Sequence, residues 1–206
     1  MRNERRNDAG QLLSLESEPA TDADAAEAAA AGLSLVRCNQ QLRICLPLAD
    51  STPPLPTRAF ALGVDDDAFL RVNNLAFAWH PDQSDRTHDH LNELAQEPWF
   101  DAEGFLLHEI DGTLAGFCWT RVHAETATDP RLGEIFVIAV DPAFHGQGLG
   151  RSLTIAGLAF LASKSIEVGM LHVEHDNVAA QSLYRDLGFV EHDSRCWWER
   201  VESEPT

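Results

Sequence analysis

The chain has 206 residues, 44% of them hydrophobic, and a formal net charge of −18 from 33 acidic and 15 basic residues. That is enough apolar material to bury a core without metal or disulfide support. The balance is too acidic for binding a nucleic-acid backbone, which needs clustered Lys and Arg, although backbone N–H groups can still hold an anionic cofactor.

Residues 1–32 are dominated by Ala, Asp, Glu and Ser with almost no large apolar residues, and composition predicts disorder. Residues 33–46 alternate weakly and read as one strand, which must pair with something or stay loose. Four prolines in residues 47–56 mark a linker. The organised domain is expected over residues 57–201. It opens with a short strand at 57–62 and a helix capped by Asp65, with Phe69, Val72, Leu75 and Ala76 at helical spacing. Thr87 starts a second helix. Strands at 104–110 and 113–122 are joined by Asp111-Gly112, the signature of a type I′ hairpin. An apolar strand at 133–140, a helix at 147–163, a strand at 168–174, a helix at 177–187 ended by Gly188, and a last strand at 189–199 follow. The expected fold class is α/β, in the α+β sense of a mixed, mostly antiparallel sheet with helices on both faces and a right-handed crossover.

The four cysteines match neither a zinc pattern nor a disulfide framework and read as reduced. No metal-ligand grouping is expected. The N-terminal arginines are not followed by an apolar run, and no stretch approaches the ~20 apolar residues of a membrane span. A cytoplasmic protein with no membrane or nucleic-acid partner is expected.

The chemistry concentrates after the central strand. Asp141-Pro142-Ala143-Phe144 leads into His145, Gly146, Gln147, Gly148, Leu149, Gly150 and Arg151, with glycines at every second position. Glycine lets an oxygen-rich ligand approach the backbone, and the first turn of a helix offers unpaired N–H groups and partial positive charge. A pyrophosphate suits such a site. No Lys-Ser/Thr follows, so this is not a Walker loop.

These residues resemble the GNAT acetyltransferases, which carry Arg/Gln-x-x-Gly-x-Gly/Ala after a strand ending in Val-x-Pro. The first position is His145 here. A second family mark is matched by the run from Asn177 to Phe189. Over residues 33–199, stretches such as Phe69-Leu70-Arg71-Val72-Asn73-Asn74, Glu97-Pro98-Trp99-Phe100-Asp101 and Gly116-Phe117-Cys118-Trp119-Thr120 resemble the C-terminal half of the mycothiol synthase family. Its members have two tandem GNAT domains, the C-terminal one active. On that resemblance residues 33–46 correspond to the last strand of a first domain, and the chain reads as a fragment or truncated member.

The resemblance implies transfer of acetyl from acetyl-coenzyme A (acetyl-CoA) to the cysteinyl amine of desacetylmycothiol. Glu134 would bind the amine and accept its proton, and Tyr184 would protonate the departing thiolate. The backbone of Ile138, Ala139 and Val140 would hold the pantetheine arm as an added strand. Residues His145 to Arg151 would hold the pyrophosphate, and Asn177, Val178, Ala179, Ala180, Gln181 and Ser182 would line the cofactor cleft. Substrate positions carry over with changes: Asp82 where the family has Glu, Arg121 where it has Lys, and His172 where it has Tyr. The remaining histidines, His123 among them, read as solvated. Two alternatives stay open: a GNAT enzyme for another small amine or a protein N-terminus, and an acetyl-CoA-binding remnant without turnover.

Overall fold

A computed structural model describes residues 1–49, 54–78 and 84–201. The strands are β1 (Arg2–Arg6), β2 (Leu12–Ser17), β3 (Ser34–Cys45), β4 (Arg58–Ala59), β5 (Phe105–Ile110), β6 (Thr113–His123), β7 (Leu132–Val140), β8 (Val168–Glu174) and β9 (Val190–Glu199). The helices are α1 (Asp22–Ala30), α2 (Asp66–Ala76), α3 (His88–Ala95), α4 (Leu149–Ser163) and α5 (Val178–Leu187). From β4 onward the order is the expected one. The chain divides into two compact units, Met1–Ile44 with Leu171–Thr206, and Cys45–Met170. Among the described residues no helix is long and apolar enough to cross a membrane.

In the first unit β3 pairs antiparallel with β9 from Ser34↔Glu199 to Arg43↔Val190. The other edge of β9 takes β2, and β2 takes β1. The disorder expected for residues 1–32 is therefore corrected: two strands and a helix form there. The physical reason is that Leu12, Leu15 and Ala28 find an apolar partner surface far away in sequence. They are buried with Leu33, Cys38, Cys196 and Trp198 in one cluster. Thr21 and Asp24 close a reciprocal capping box at the start of α1, and Glu16 pairs with Arg195 of β9. The reading of four reduced cysteines is corrected too. Cys38 and Cys196 face each other across β3 and β9 with Cα atoms 4.0 Å apart and are joined in a disulfide. Cys45 and Cys118 are free.

In the second unit β4, β5, β6 and β7 form an antiparallel series. The β5–β6 turn has positive φ at both central residues, 51° at Asp111 and 75° at Gly112, as a type I′ turn requires. Alternation along β6 sends its side chains to opposite faces. Phe117 and Trp119 join Phe60, Phe69, Val72, Leu91 and Phe105 in the core beneath α2 and α3. Phe105 stacks on Trp119 at 4.4 Å and on Phe60 at 4.3 Å. Cys118 and Thr120 face α4, which lies close because Gly157 has no side chain. A Cβ there would sit 2.5 Å from the Cys118 sulfur and 2.6 Å from Ile135.

Asp65 is at the N-cap of α2, as read, but its carboxylate makes no cap bond. It accepts instead from both Nη atoms of Arg58, at 2.7 and 2.8 Å, and from the N–H of Ala61. Of the apolar residues at helical spacing, Phe69 and Val72 are buried and Leu75 is exposed.

Candidate active site

β7 carries the buried carboxylate singled out in the sequence. Glu134 is 7% exposed, a rare state for a carboxylate without partners. It lies directly across from Arg121 of β6, and His123, two residues further along β6, lies diagonally across. The His123 Nε2 is 2.8 Å from Glu134 Oε2. Arg121 lies over the Trp99 ring at 4.5 Å from its centroid and near Phe136 at 5.9 Å. The β6–β7 register shifts between Trp119 and Thr120, whose partners are Val137 and Ile135, so Phe136 is the extra residue of a bulge. Bulges re-aim side chains and recur beside active sites. His123 corrects the reading of a solvated ring: it is half-buried and engaged. The sequence shows only that positions 121 and 123 share a strand face; the register that sets them against Glu134 follows a long loop and a bulge and appears only in the structure.

Beyond β7, Asp141 anchors the glycine loop. It is buried, accepts from Ala143 N–H at 2.9 Å and meets Arg71 Nη1 of α2 at 2.5 Å. Burial alone would raise its pKa. The Ala143 N–H and the Arg71 guanidinium outweigh that and hold the carboxyl below the usual range. Gly146 and Gly148 have φ of 77° and 75°, values other residues rarely adopt. A Cβ on either would meet nothing within 4 Å, so the loop faces open space. Gly148 is the N-cap of α4 and supplies no side-chain cap. The helix thus opens with an uncapped first turn behind an open glycine loop, which fits a pyrophosphate. The His145 ring turns back, its Nε2 3.1 Å from the Val140 carbonyl.

The remaining positions lie in the first unit. Asn177 caps α5, accepting from Ala180 N–H at 3.1 Å. The Gln181 amide donates to Gln40 and to the His175 carbonyl, both at 2.8 Å, bracing the turn into α5. Val178, Ala179 and Ser182 are exposed and Ala180 half-exposed. Tyr184 is buried with its ring 5.6 Å from that of Phe189. His172 is exposed on β8, 3.4 Å from the Gln41 amide. It lines a polar cavity of about 140 Å³ with Glu18, Asn39, Gln41, Asp193 and Arg195. Asp82 lies outside the described residues.

A model of the acetyltransferase (GNAT) family matches residues 70–189. The chain belongs to the GNAT acetyltransferase family. GNAT relatives include proteins named mycothiol acetyltransferase. The one from Streptomyces griseus subsp. griseus is 47% identical over 167 residues, 79% of this chain and 53% of the relative. The one from Acidimicrobium ferrooxidans is 47% identical over 174 residues, 81% and 56% of the two chains. The chain thus spans about half the length of the curated relatives it matches. A solved GCN5-related N-acetyltransferase from Sphaerobacter thermophilus shares the fold, with a TM-score of 0.67 and 22% identity over 90% of this chain and 59% of that one.

Proposed function

We propose that the chain is an acetyl-CoA-dependent N-acetyltransferase acting on the cysteinyl amine of desacetylmycothiol to give mycothiol and free coenzyme A. The observation that carries the reading is a buried carboxylate, Glu134, on the same strand that runs into an open glycine loop and an uncapped helix. One element thereby bears both an acid–base group and an anion cradle. The names of the relatives support the choice of acceptor.

Acetyl-CoA, when bound, supplies an activated thioester carbonyl. The N–H groups of residues 146–151 take its pyrophosphate, and backbone groups of Ile138, Ala139 and Val140 take the pantetheine arm. Asn177 to Ser182 are assigned to cofactor binding and Tyr184 to protonation of the thiolate, in line with the family resemblance. Glu134 binds the amine and accepts its proton. An α-amine has a reference pKa of ~7.7–8.0, so a minority is already neutral at pH 7 and a modest base suffices. Arg121, Asp82 and His172 are assigned to the sugar–inositol part of the acceptor. The polar cavity beside His172 is the observation in favour, since hydroxyl-rich ligands need many donors and acceptors. The same reading puts the protein in the cytoplasm with small-molecule partners only.

The test is mass spectrometry of the products formed from acetyl-CoA with desacetylmycothiol, cysteinamide or peptide amines offered in parallel. N-acetylation of desacetylmycothiol in preference to the others is the expected result. Acetylation of peptides alone selects a protein acetyltransferase, and cofactor binding without product selects a remnant.

A further inference from the structure

We infer that Trp99 is a positioning residue for Arg121: its ring holds the guanidinium so that the N–H rim is presented to the hydroxyl-rich part of the acceptor. The inference rests on the proposed acceptor, with Arg121 meeting its sugar–inositol part, and adds a residue that the reading does not otherwise use.

An arginine side chain is long and rotamer-rich and sweeps a wide volume unless something holds it. Arg121 is held. Its Cζ lies 4.5 Å from the centroid of the Trp99 ring and 5.9 Å from that of Phe136, both within the ~6 Å at which a ring face attracts a cation. The rings are fixed in turn. Trp99 meets Phe136 edge-on at 5.0 Å, and the two meet the fully buried Trp119 at 5.9 and 5.3 Å. The backbone that carries Trp99 is constrained as well. Pro98 before it has a fixed φ, and the N–H of Phe100 after it donates to the Glu97 carbonyl at 2.9 Å.

A guanidinium carries its N–H donors around its rim, so lying over a ring face spends none of them. The Nε of Arg121 is buried with no hydrogen-bond partner among the described residues. The Nε1 of Trp119, packed against the same two rings, is a second such donor. A buried donor without an acceptor is costly, and the oxygens of a hydroxyl-rich ligand supply what Arg121 lacks. The place fits too. Arg121 stands directly across from Glu134, and side chains paired across strands start about 5 Å apart. An acceptor with its amine at Glu134 therefore brings its next groups to Arg121.

The experiment compares Trp99→Leu, which removes the ring, with Trp99→Phe, which keeps a ring face. Both are assayed with desacetylmycothiol and with cysteinamide, which offers a cysteinyl amine without the sugar and inositol. For Trp99→Leu the KM for desacetylmycothiol should rise about tenfold, with kcat and the KM for cysteinamide each within about twofold of wild type. Trp99→Phe should recover most of the loss. Added to Arg121→Met, Trp99→Leu should change the KM by less than about twofold, because the ring acts through the guanidinium. A KM for desacetylmycothiol that does not move overturns the inference. So does an equal rise for both acceptors, a phenylalanine variant no better than leucine, or full additivity with Arg121→Met. Should Trp99→Leu not fold, Trp99→Phe with and without Arg121→Met makes the same comparison on a smaller shift. If the wild-type protein does not prefer desacetylmycothiol, the proposed function fails instead. The pair is then judged by NMR. An Arg121 Nε–H signal moved upfield by the Trp99 ring and released in the Trp99 variants keeps the positioning, and an unshifted signal in the wild-type protein removes it.

Discussion

Two carboxylates do contrasting work in the second unit. Glu134 is buried beside a histidine at the start of the central strand, and Asp65 is buried beside an arginine at the start of α2. In the proposed role of Glu134 as base, replacing it with Gln keeps the shape and removes the proton acceptor, so turnover at neutral pH should fall by about 10²–10⁴-fold with little change in acetyl-CoA affinity. Asp65 is structural. Its hydrogen bonds to Arg58 hold its carboxyl below the ordinary value despite burial. The stability it contributes is therefore present above the ordinary carboxylate range and lost as pH falls through the lower folded-state value. Asp65→Asn should cost about 1–2 kcal/mol at neutral pH, modest because Arg58 is 43% exposed. Urea midpoints measured against pH should converge for the two proteins in acid. At this scale the sequence was legible where residue type alone decides, as for the glycines. It was not legible where a side chain chooses between partners: Asp65 passes over its cap for Arg58, His145 folds back to Val140, and His123 meets Glu134.

At the scale of elements, the order β4 to β9 was legible because each piece carries a local signal: Asp111-Gly112 for the hairpin, Thr87 and Asn177 for caps, Gly188 for a stop at φ 97°. The N-terminal elements were not, because the apolar residues of β2 are few and their cluster is completed by Cys196 and Trp198 of β9, about 180 residues away. That burial predicts a cost. Leu15→Ala, at 1% exposure, should destabilise the protein by about 2–5 kcal/mol and expose residues 1–31 to protease. No change in thermal midpoint would return the segment to disorder. The disulfide joins the same elements and is rare in a reducing compartment, which makes a thiol count informative. With Cys38 and Cys196 bonded, only the exposed Cys45 should react in the native protein. Burial pushes the Cys118 thiol up to about 12, so it should react only on unfolding. Reduction in denaturant should then release two further thiols. Four thiols in denaturant without reductant would mean the pair is open.

For the whole molecule, family membership rests on the match to residues 70–189, and the chemistry concerns a chain of about half the length of its curated relatives. The glycine loop is the anion cradle of the proposed chemistry. Asp141 ties its first residues to α2 through Arg71. Asp141→Asn should weaken acetyl-CoA binding, measured by calorimetry, more than it changes the KM for the amine. The most direct measurement is release of coenzyme A thiol from acetyl-CoA in the presence of desacetylmycothiol, compared between the wild-type chain and Glu134→Gln. The account predicts acceptor-dependent release by the wild type and a loss of at least about a hundredfold in the variant. Equal rates in the two proteins, or release that does not depend on the amine, would contradict it.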